Sequence, residues 1–448
     1  MHIIIPAETL PVLAECDLCV IGGSCTGVFA AIRAARLGAK VILLEKQNRL
    51  GGVATLGLVG MWHSLYDTTG SQQIIAGLTL ETLQQLARTG ACTDFSAEGG
   101  QRGIRLNPEE LTLELDAMVA REKNLTLHLH TTFSRAIMQG EGDCQAIVAE
   151  NKSGRFAIKA KIFLDASGDG VLCKSAQLPM RRPVHPQPPS SCARFSNWSF
   201  PPAFDLRECI ERYRDRLPDL PCGYYWGMQQ PNSTLYMLAG TRVLNCDCDN
   251  AEEISKAELT ARRQIRALLQ MLRQELPEQK IYLETLPAAI GIREGLHIES
   301  IGTLQGQDLL SGRPCPEAIA NGTYPVDIHN DQDDSITFKR LDGSTSTTRN
   351  GTRIASGRWL PEGQSLPCYQ IPLSCLIPRG ARNILCAGRM LDADREAFGA
   401  VRVMVNLNQC GEAAGAAAMQ ALDSSQPVTS IDVQAVRKLL RAGGAIII

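Results

Sequence analysis

Asp17 to Lys46 reads DLCVIGGSCTGVFAAIRAARLGAKVILLEK, and the remainder of the chain is organised around it. Leu18 to Ile21 is a short apolar run of strand formers, and Gly22 to Gly27 is a tight turn of small residues. Val28 to Leu37 reads as an Ala-rich helix stopped by Gly38, and Val41 to Leu44 as a second buried strand ending in Glu45. Strand, glycine turn, helix, strand and acid in this order form a dinucleotide-binding unit. Gly22 permits the turn, and Gly27 lets the helix lie close to the strand, with Ala30, Ala31, Ala34 and Ala35. The helix N-terminus offers free N–H groups to a pyrophosphate, and Glu45 can accept from an adenosine ribose. Ser24 stands where the fingerprint's middle glycine belongs; it is small, and its hydroxyl can donate to a phosphate. A plain βαβ crossover with an acidic strand end is the structural alternative.

At 448 residues the chain has room for two or more domains, one of them open to being discontinuous. Its 44% apolar and 21% charged residues are ordinary for a globular protein, and a net charge of -2 suggests neither nucleic acid nor an anionic membrane as partner. No apolar run is long enough for a transmembrane helix, and the N-terminus lacks a basic, secretory character, so a cytoplasmic location is expected. Sixteen scattered cysteines are expected to be reduced, mostly buried thiols. Cys16 and Cys19 make a CxxC of which Cys19 lies inside the first strand, where burial is expected, and Cys246-Asp247-Cys248 makes a CxC in a polar segment. His128 and His130 would share a strand face, but nothing nearby completes a metal set, so no metal site is expected.

Beyond Glu45, Gly51-Gly52 and then Gly57 to His63 suggest backbone lying against a flat or phosphorylated ligand. A helix is expected from Gln73 to Arg88, and another from Pro108 to Arg121 with Asn107 as its cap. Leu125 to Thr131, Ala136 to Glu150 and Arg155 to Leu164 read as strands, the last two joined at Lys152-Ser153-Gly154. Composition shifts at Pro179 to Pro202, and a charged helix from Ala251 to Glu275 has an apolar stripe at Ile254, Leu259, Ile265, Leu268 and Leu272. Asp331 to Gly357 reads as a polar hairpin or loop. Asn383 to Arg389 and Gly411 to Ala418 return to the character of the first stretch: a buried strand ending in glycine, then a small-residue helix.

Together these pieces resemble the FAD-dependent oxidoreductase family related to the fumarate reductase and succinate dehydrogenase flavoproteins. The motifs are Ile21-Gly22-Gly23 to Gly38, Leu50-Gly51-Gly52, Asp165 to Gly170, Gly291-Ile292-Arg293-Glu294, Tyr324 to His329, Ile371-Pro372-Leu373, Ala387-Gly388-Arg389, Arg402-Val403-Met404 and Gly411 to Gly415. The resemblance implies an α/β fold with a Rossmann-like, glutathione-reductase-type FAD domain: a parallel sheet plus a β-meander, discontinuous, with an inserted α+β substrate domain. Residues 1–62, 107–178 and 379–448 would form the FAD domain, 63–106 an insertion near the active site, and 179–378 the substrate domain. Gly22, Gly23, Ser24, Cys25, Thr26 and Gly27 would cradle the FAD pyrophosphate, and Glu45 and Lys46 would lie at the adenosine ribose. Gly51, Gly52, Ala54 and Thr55 would pass under the phosphate and ribityl chain, and His130 would border the adenine. Ala166, Ser167, Gly168 and Asp169 would pack at the ADP end, and Gly388 and Arg389 at the ribityl side. Asn406, Leu407 and Asn408 would bring a helix N-terminus to the flavin, although relatives often carry threonine where Asn406 stands.

Flavin supplies the electron chemistry, so the protein must position substrate and handle a proton. Arg293 is the first candidate, as an anion clamp, with a salt bridge to a neighbour as the alternative. Asp327 and His329 form a candidate acid–base pair, with a hydrogen-bonded structural turn as the alternative, and His63 is a residue that faces the ring or holds it covalently. Arg389 and Arg402 either bind substrate anions or tie loops together, with Arg402 leaning to structure, and Tyr369 ranks lower. The expected function is hydride transfer between flavin N5 and a small polar or anionic organic substrate, with an electron partner the sequence does not name. A structural flavin or a non-redox elimination is the alternative, and a homo-oligomer stays open. An NAD(P)-only dehydrogenase leaves the C-terminal Gly–Ala helix unexplained, and no G-x-S-x-G or H-E-x-x-H motif points to a hydrolase.

Overall fold

The computed structural model describes residues 2–3, 7–98, 103–199, 201 and 204–448. Its central sheet has seven strands. They are β1 (Val12–Ile21), β2 (Val41–Leu44), β3 (Leu125–His128), β4 (Thr132–Gly140), β5 (Asp143–Asn151), β6 (Gly154–Asp165) and β7 (Ile384–Cys386). Five of them run parallel, in the order β3, β2, β1, β6 and β7. Strand β6 is long enough to serve two neighbours on one side. Its first half pairs antiparallel with β5, and its last three residues pair with β7. The β4–β5–β6 meander thus grows out of the parallel sheet. The Rossmann-like α/β architecture is present, and both ends of the chain contribute to one sheet.

The register brings the carboxyl ends of the parallel strands to one edge. Ile21 pairs with Leu44 on one side and Asp165 on the other, while Leu44 pairs with His128 and Asp165 with Cys386. In open α/β sheets this edge is where ligands bind. The first helix (Cys25–Arg36) packs on the sheet beside a long C-terminal helix (Met404–Ser424) that is buried along nearly all its length. Glycines make that contact: a Cβ on Gly411 would lie 2.8 Å from the Thr26 carbonyl carbon, and one on Gly415 would lie 3.1 Å from Ala30 Cα. The crossing also encloses an ion pair. Arg33 Nε donates to Glu412 Oε1 at 3.0 Å, and the Leu78 N–H donates to the other carboxylate oxygen at 3.1 Å.

The remaining chain forms smaller antiparallel sheets. One is four-stranded and covered by the Ala251–Glu275 helix; another joins Val326–His329 to Ser335–Lys339, Ser344–Arg349 and Thr352–Arg358. Asp331 to Gly357 is therefore mostly sheet. Several other boundaries differ from the sequence reading. Ala136 to Glu150 is a hairpin, because Gly140 and Gly142 interrupt it and Gly142 takes φ +66. The helix expected from Gln73 starts at Gly77, since Gln73 bridges to Tyr66 in extended form. β3 ends at His128, and His130 lies in the left-handed region at φ +51, so the two histidines do not share a strand face. Leu259 is 57% exposed, being about 200° around the helix from the buried Ala257. Ala257, Ala261 and Met271 complete the stripe instead. No helix among the described residues is long and apolar enough to cross a membrane. Among them no cluster of His, Cys, Asp or Glu is arranged for a metal, and all sixteen cysteines are free, twelve of them buried.

Candidate functional site

The loops leaving the carboxyl edge of the sheet interlock through backbone. Gly22 has φ +108, and a Cβ there would stand 2.6 Å from the Ala166 carbonyl oxygen. Gly27 meets the Gly22 carbonyl and Ala166 Cβ, the latter at 3.0 Å from an added Cβ. Ser24, by contrast, has an ordinary φ of -61. A side chain is tolerated there, and its hydroxyl caps the first helix by accepting the Gly27 N–H at 3.4 Å. No acid occupies the first turn of that helix, which leaves its N-terminal N–H groups and positive dipole end to an anion. Gly51 and Gly52, both at positive φ, pack on the same loop, with the Gly51 N–H donating to the Gly23 carbonyl at 2.8 Å. Cys25 Sγ donates to Gly51 O at 3.5 Å, Thr26 lies buried under Gly411, and the Thr55 hydroxyl donates to Leu50 O at 2.6 Å beside buried Ala54.

Glu45 is buried at the end of β2 and takes the Gly23 N–H at 2.7 Å on one oxygen and the Gln47 N–H at 2.8 Å on the other. Each oxygen keeps a lone pair for a further donor. Lys46 is exposed, and His130 joins the same corner by donating its N–H to Gln47 O at 3.1 Å. Across the edge, Asp165 organises its own loop. It accepts the Ser167 N–H at 3.0 Å, the Ser167 hydroxyl at 2.6 Å and the Leu172 N–H at 2.7 Å. Asp169 pairs with Arg389, whose guanidinium fills the space beside Gly168, and Gly388 takes φ +136. The C-terminal helix starts without a side-chain cap at Val403. In its first turns Asn406 donates to the Tyr369 hydroxyl at 3.0 Å, Leu407 is buried, and neither side-chain polar atom of Asn408 has a partner among the described residues. Asn408 stands on the stripe of Gly411 and Gly415, one turn earlier, so it extends beyond the start of the first helix. A glycine cradle, a bare helix N-terminus, a buried acid with spare lone pairs and an unpartnered amide fit a bound dinucleotide.

A second, charged assembly adjoins this edge. Asp327 and His329 point the same way from the Val326–His329 strand, with His329 Nε2 3.1 Å from Asp327 Oδ1. The other carboxylate oxygen accepts the Tyr324 hydroxyl at 2.8 Å and Arg402 Nη2 at 3.0 Å. Arg402 immediately precedes the cap of the C-terminal helix, which ties the assembly to that helix's N-terminus. The His63 ring lies against Tyr324 with centroids 4.1 Å apart. Arg242 donates to Asp334 Oδ1 at 2.6 Å and faces the Tyr224 ring, which meets His329 edge-on at 6.3 Å. Arg293 donates to the Pro188 carbonyl at 2.6 Å and has no carboxylate partner among the described residues.

Burial and neighbouring charges set the protonation states. Burial holds His329 down to about 3 against the opposing pull of Asp327, with Arg293 and Arg242 adding to the depression. Burial likewise holds His63 down to about 4, with Arg402 assisting and Asp327 opposing. Burial alone would raise Asp327, but His329, Arg402 and the Tyr324 hydroxyl outweigh it and keep the carboxyl well below the usual carboxylate range. Since His329 is itself neutral at pH 7, Arg402 is the charge that matters there. Burial lowers Arg293 to about 10, and repulsion from Arg402 and Arg242 adds to that, so it remains a cation at neutral pH. Among the described residues, Asp327 Oδ1, His329 Nδ1, Gln187 Nε2 and Arg402 Nε are buried without a hydrogen-bond partner. Native interiors leave few such atoms, and a group of them is the appearance of a site completed by something bound.

A family model described as FAD dependent oxidoreductase matches residues 17–440. The chain belongs to that family. This FAD-dependent oxidoreductase also matches the mitochondrial dihydrolipoyl dehydrogenase of Schizosaccharomyces pombe, at 60% identity over 38 residues, 8% of this chain and 7% of that relative's length. Similar solved structures include a geranylgeranyl bacteriochlorophyll reductase-like protein from Thermoplasma acidophilum, with TM-score 0.47, 12% identity, and 96% of this chain and 83% of that one covered. A flavin-dependent brominase gives TM-score 0.47 at 10% identity over 95% of this chain and 83% of that one.

In the oxidoreductase, His63, Arg293, Asp327 and His329 come into one assembly from three separate stretches of chain, and Arg402 joins them through Asp327. Tyr369 braces Asn406 rather than reaching Asp327. Sequence reasoning passed over Arg242 and Tyr224, which lie in no motif, and took Tyr324 only as the head of the Tyr324 to His329 motif, with no role of its own.

Proposed function

We propose that the oxidoreductase oxidises a small anionic organic substrate. Bound FAD supplies the two-electron acceptor. The observation that carries this reading is Arg293: a half-buried guanidinium, cationic at neutral pH, beside two further arginines and with no carboxylate of its own among the described residues. Such a group favours an anion, because a buried charge gains most from an opposite one delivered by a ligand. His329 and His63 are neutral and Asp327 is ionised at neutral pH. These groups stand in their proton-accepting forms, which suits dehydrogenation. The substrate's C–H would leave as hydride, and its O–H or N–H proton would pass to His329 Nδ1, with Asp327 steadying the resulting imidazolium. Asn406 to Asn408 and the cradle from Gly22 to Gly27 would hold the cofactor, with Glu45 at the ribose.

Anaerobic mixing of the FAD-loaded protein with small hydroxy and amino acids, and with their neutral amides, tests the reading through the flavin's visible absorbance. Bleaching by the acids and not by the amides is expected, and R293M should abolish the preference. A flavin that responds to none of them would favour the alternative, a structural flavin or a non-redox elimination.

A further inference from the structure

We propose that Tyr324 is the positioning residue of this site, setting the Asp327 carboxylate through its hydroxyl and the His63 ring through its ring face. The inference rests on the reading above for its functional consequence, but its structural part stands apart from any substrate.

Three observations lead to it. Tyr324 makes two contacts of different kinds: its hydroxyl donates to Asp327 Oδ2 at 2.8 Å, and its ring lies 4.1 Å from that of His63. The two partners come from remote parts of the chain, one just after the Met61–Trp62 strand and one on the Val326–His329 strand. Tyr324 is thus a direct side-chain bridge between them. Finally, Asp327 Oδ2 is saturated by Tyr324 and Arg402, while Oδ1 is left to His329 and has no aligned donor among the described residues. Two donors on one oxygen fix the rotation of the carboxylate, and that rotation turns Oδ1 towards the imidazole. Without the hydroxyl, Arg402 alone would hold Oδ2, and the carboxylate could swing. Burial and the neighbouring Asp327 keep the phenol far above its ordinary pKa, so it remains a donor throughout the working range.

The charged and titratable groups facing Asp327 are His329 on its own strand, Tyr324 before it and Arg402 at the end of the Arg395–Val401 helix, with Arg293, Arg242, His63 and Tyr224 further out. Two variants separate the two contacts. Y324F keeps the ring and loses the hydroxyl; Y324L loses both. In the FAD-loaded protein at about pH 7, carbon-labelled aspartate reports the Asp327 carboxylate through its NMR chemical shift, and labelled histidine reports the titration of His63, with H63N and D327N supplying the assignments. Y324F should move the Asp327 carboxylate signal and leave His63 where it was. Y324L should also move the His63 titration upward, towards its ordinary value, because the ring that buries it is gone. An unmoved Asp327 signal in Y324F, or a His63 that moves as far in Y324F as in Y324L, overturns the proposal. Should Y324L fail to fold, the Asp327 signal in Y324F alone decides the hydroxyl's part. With an anionic substrate found by the screen, Y324F should slow flavin reduction about 10-fold or more while retaining FAD, and an unchanged rate counts against positioning. If no substrate reduces the wild-type flavin, the functional reading fails, and the NMR signals still judge Tyr324.

Discussion

Where the first helix crosses the long C-terminal helix, glycines bring backbone against backbone, and the one ion pair, Arg33–Glu412, is enclosed with side-chain exposures of 5% and 2%. Around Asp327 the materials are reversed. Bulky charged and aromatic side chains converge, and among the described residues Arg293 has no carboxylate partner and several buried donors and acceptors are unpaired. The first region is closed and self-sufficient; the second is complete only with something added. A buried charge that is fully matched fixes structure, whereas one left unmatched holds free energy available to a ligand.

The sharpest way to break this contrast is to damage the closed side. E412A should cost about 3–5 kcal/mol in chemical denaturation, since it leaves Arg33 charged and enclosed. A loss below about 1 kcal/mol would mean that solvent reaches the crossing. G411A inserts a methyl against the Thr26 backbone and should cost roughly 1–3 kcal/mol, with FAD retained less tightly.

The open side should respond to pH instead. Unfolded histidine titrates near ~6.5, and the folded values of His329 and His63 lie near 3 and 4. Between those limits the unfolded chain binds more protons, so stability should be full above about pH 6.5 and fall as the pH is lowered. H329N should flatten that slope by about one proton, or ~1.4 kcal/mol per pH unit; an unchanged slope would place His329 in contact with water. The smallest effect on stability is expected from R293M, which removes a charge without a carboxylate partner and should leave the melting temperature unchanged or slightly raised. Its effect on turnover should nevertheless be about 10- to 100-fold. A strongly destabilised R293M would mean that Arg293 belongs to the framework and would merge the two regions into one.

Much of the closed side was legible in the chain. The glycine turn, the Ala-rich helix, Glu45 and the Asn107 cap follow from local geometry, because each depends on residues within one or two turns of itself. Boundaries failed where a distant partner intervened. Gln73 stays extended because Tyr66 pairs with it, and Leu259 faces solvent because the helix rotation is set by what it covers. In the charged assembly, residue types were readable but their company was not. Asp327 and His329 drew notice as an acid and a base two residues apart in an aromatic-proline segment, whereas Tyr224 and Arg242 sit in stretches with no pattern.

The sequence by itself determined that a dinucleotide unit opens this chain and that its last segment returns to the same sheet, because backbone turns, caps and close helix contacts are specified by small residues at short range. The tertiary structure alone decided which charges meet, which is why Arg293 has no carboxylate partner among the described residues while Arg402 has Asp327, and why both histidines are neutral. Electrostatic character depends on distance and burial, and neither exists until segments far apart in the chain have packed.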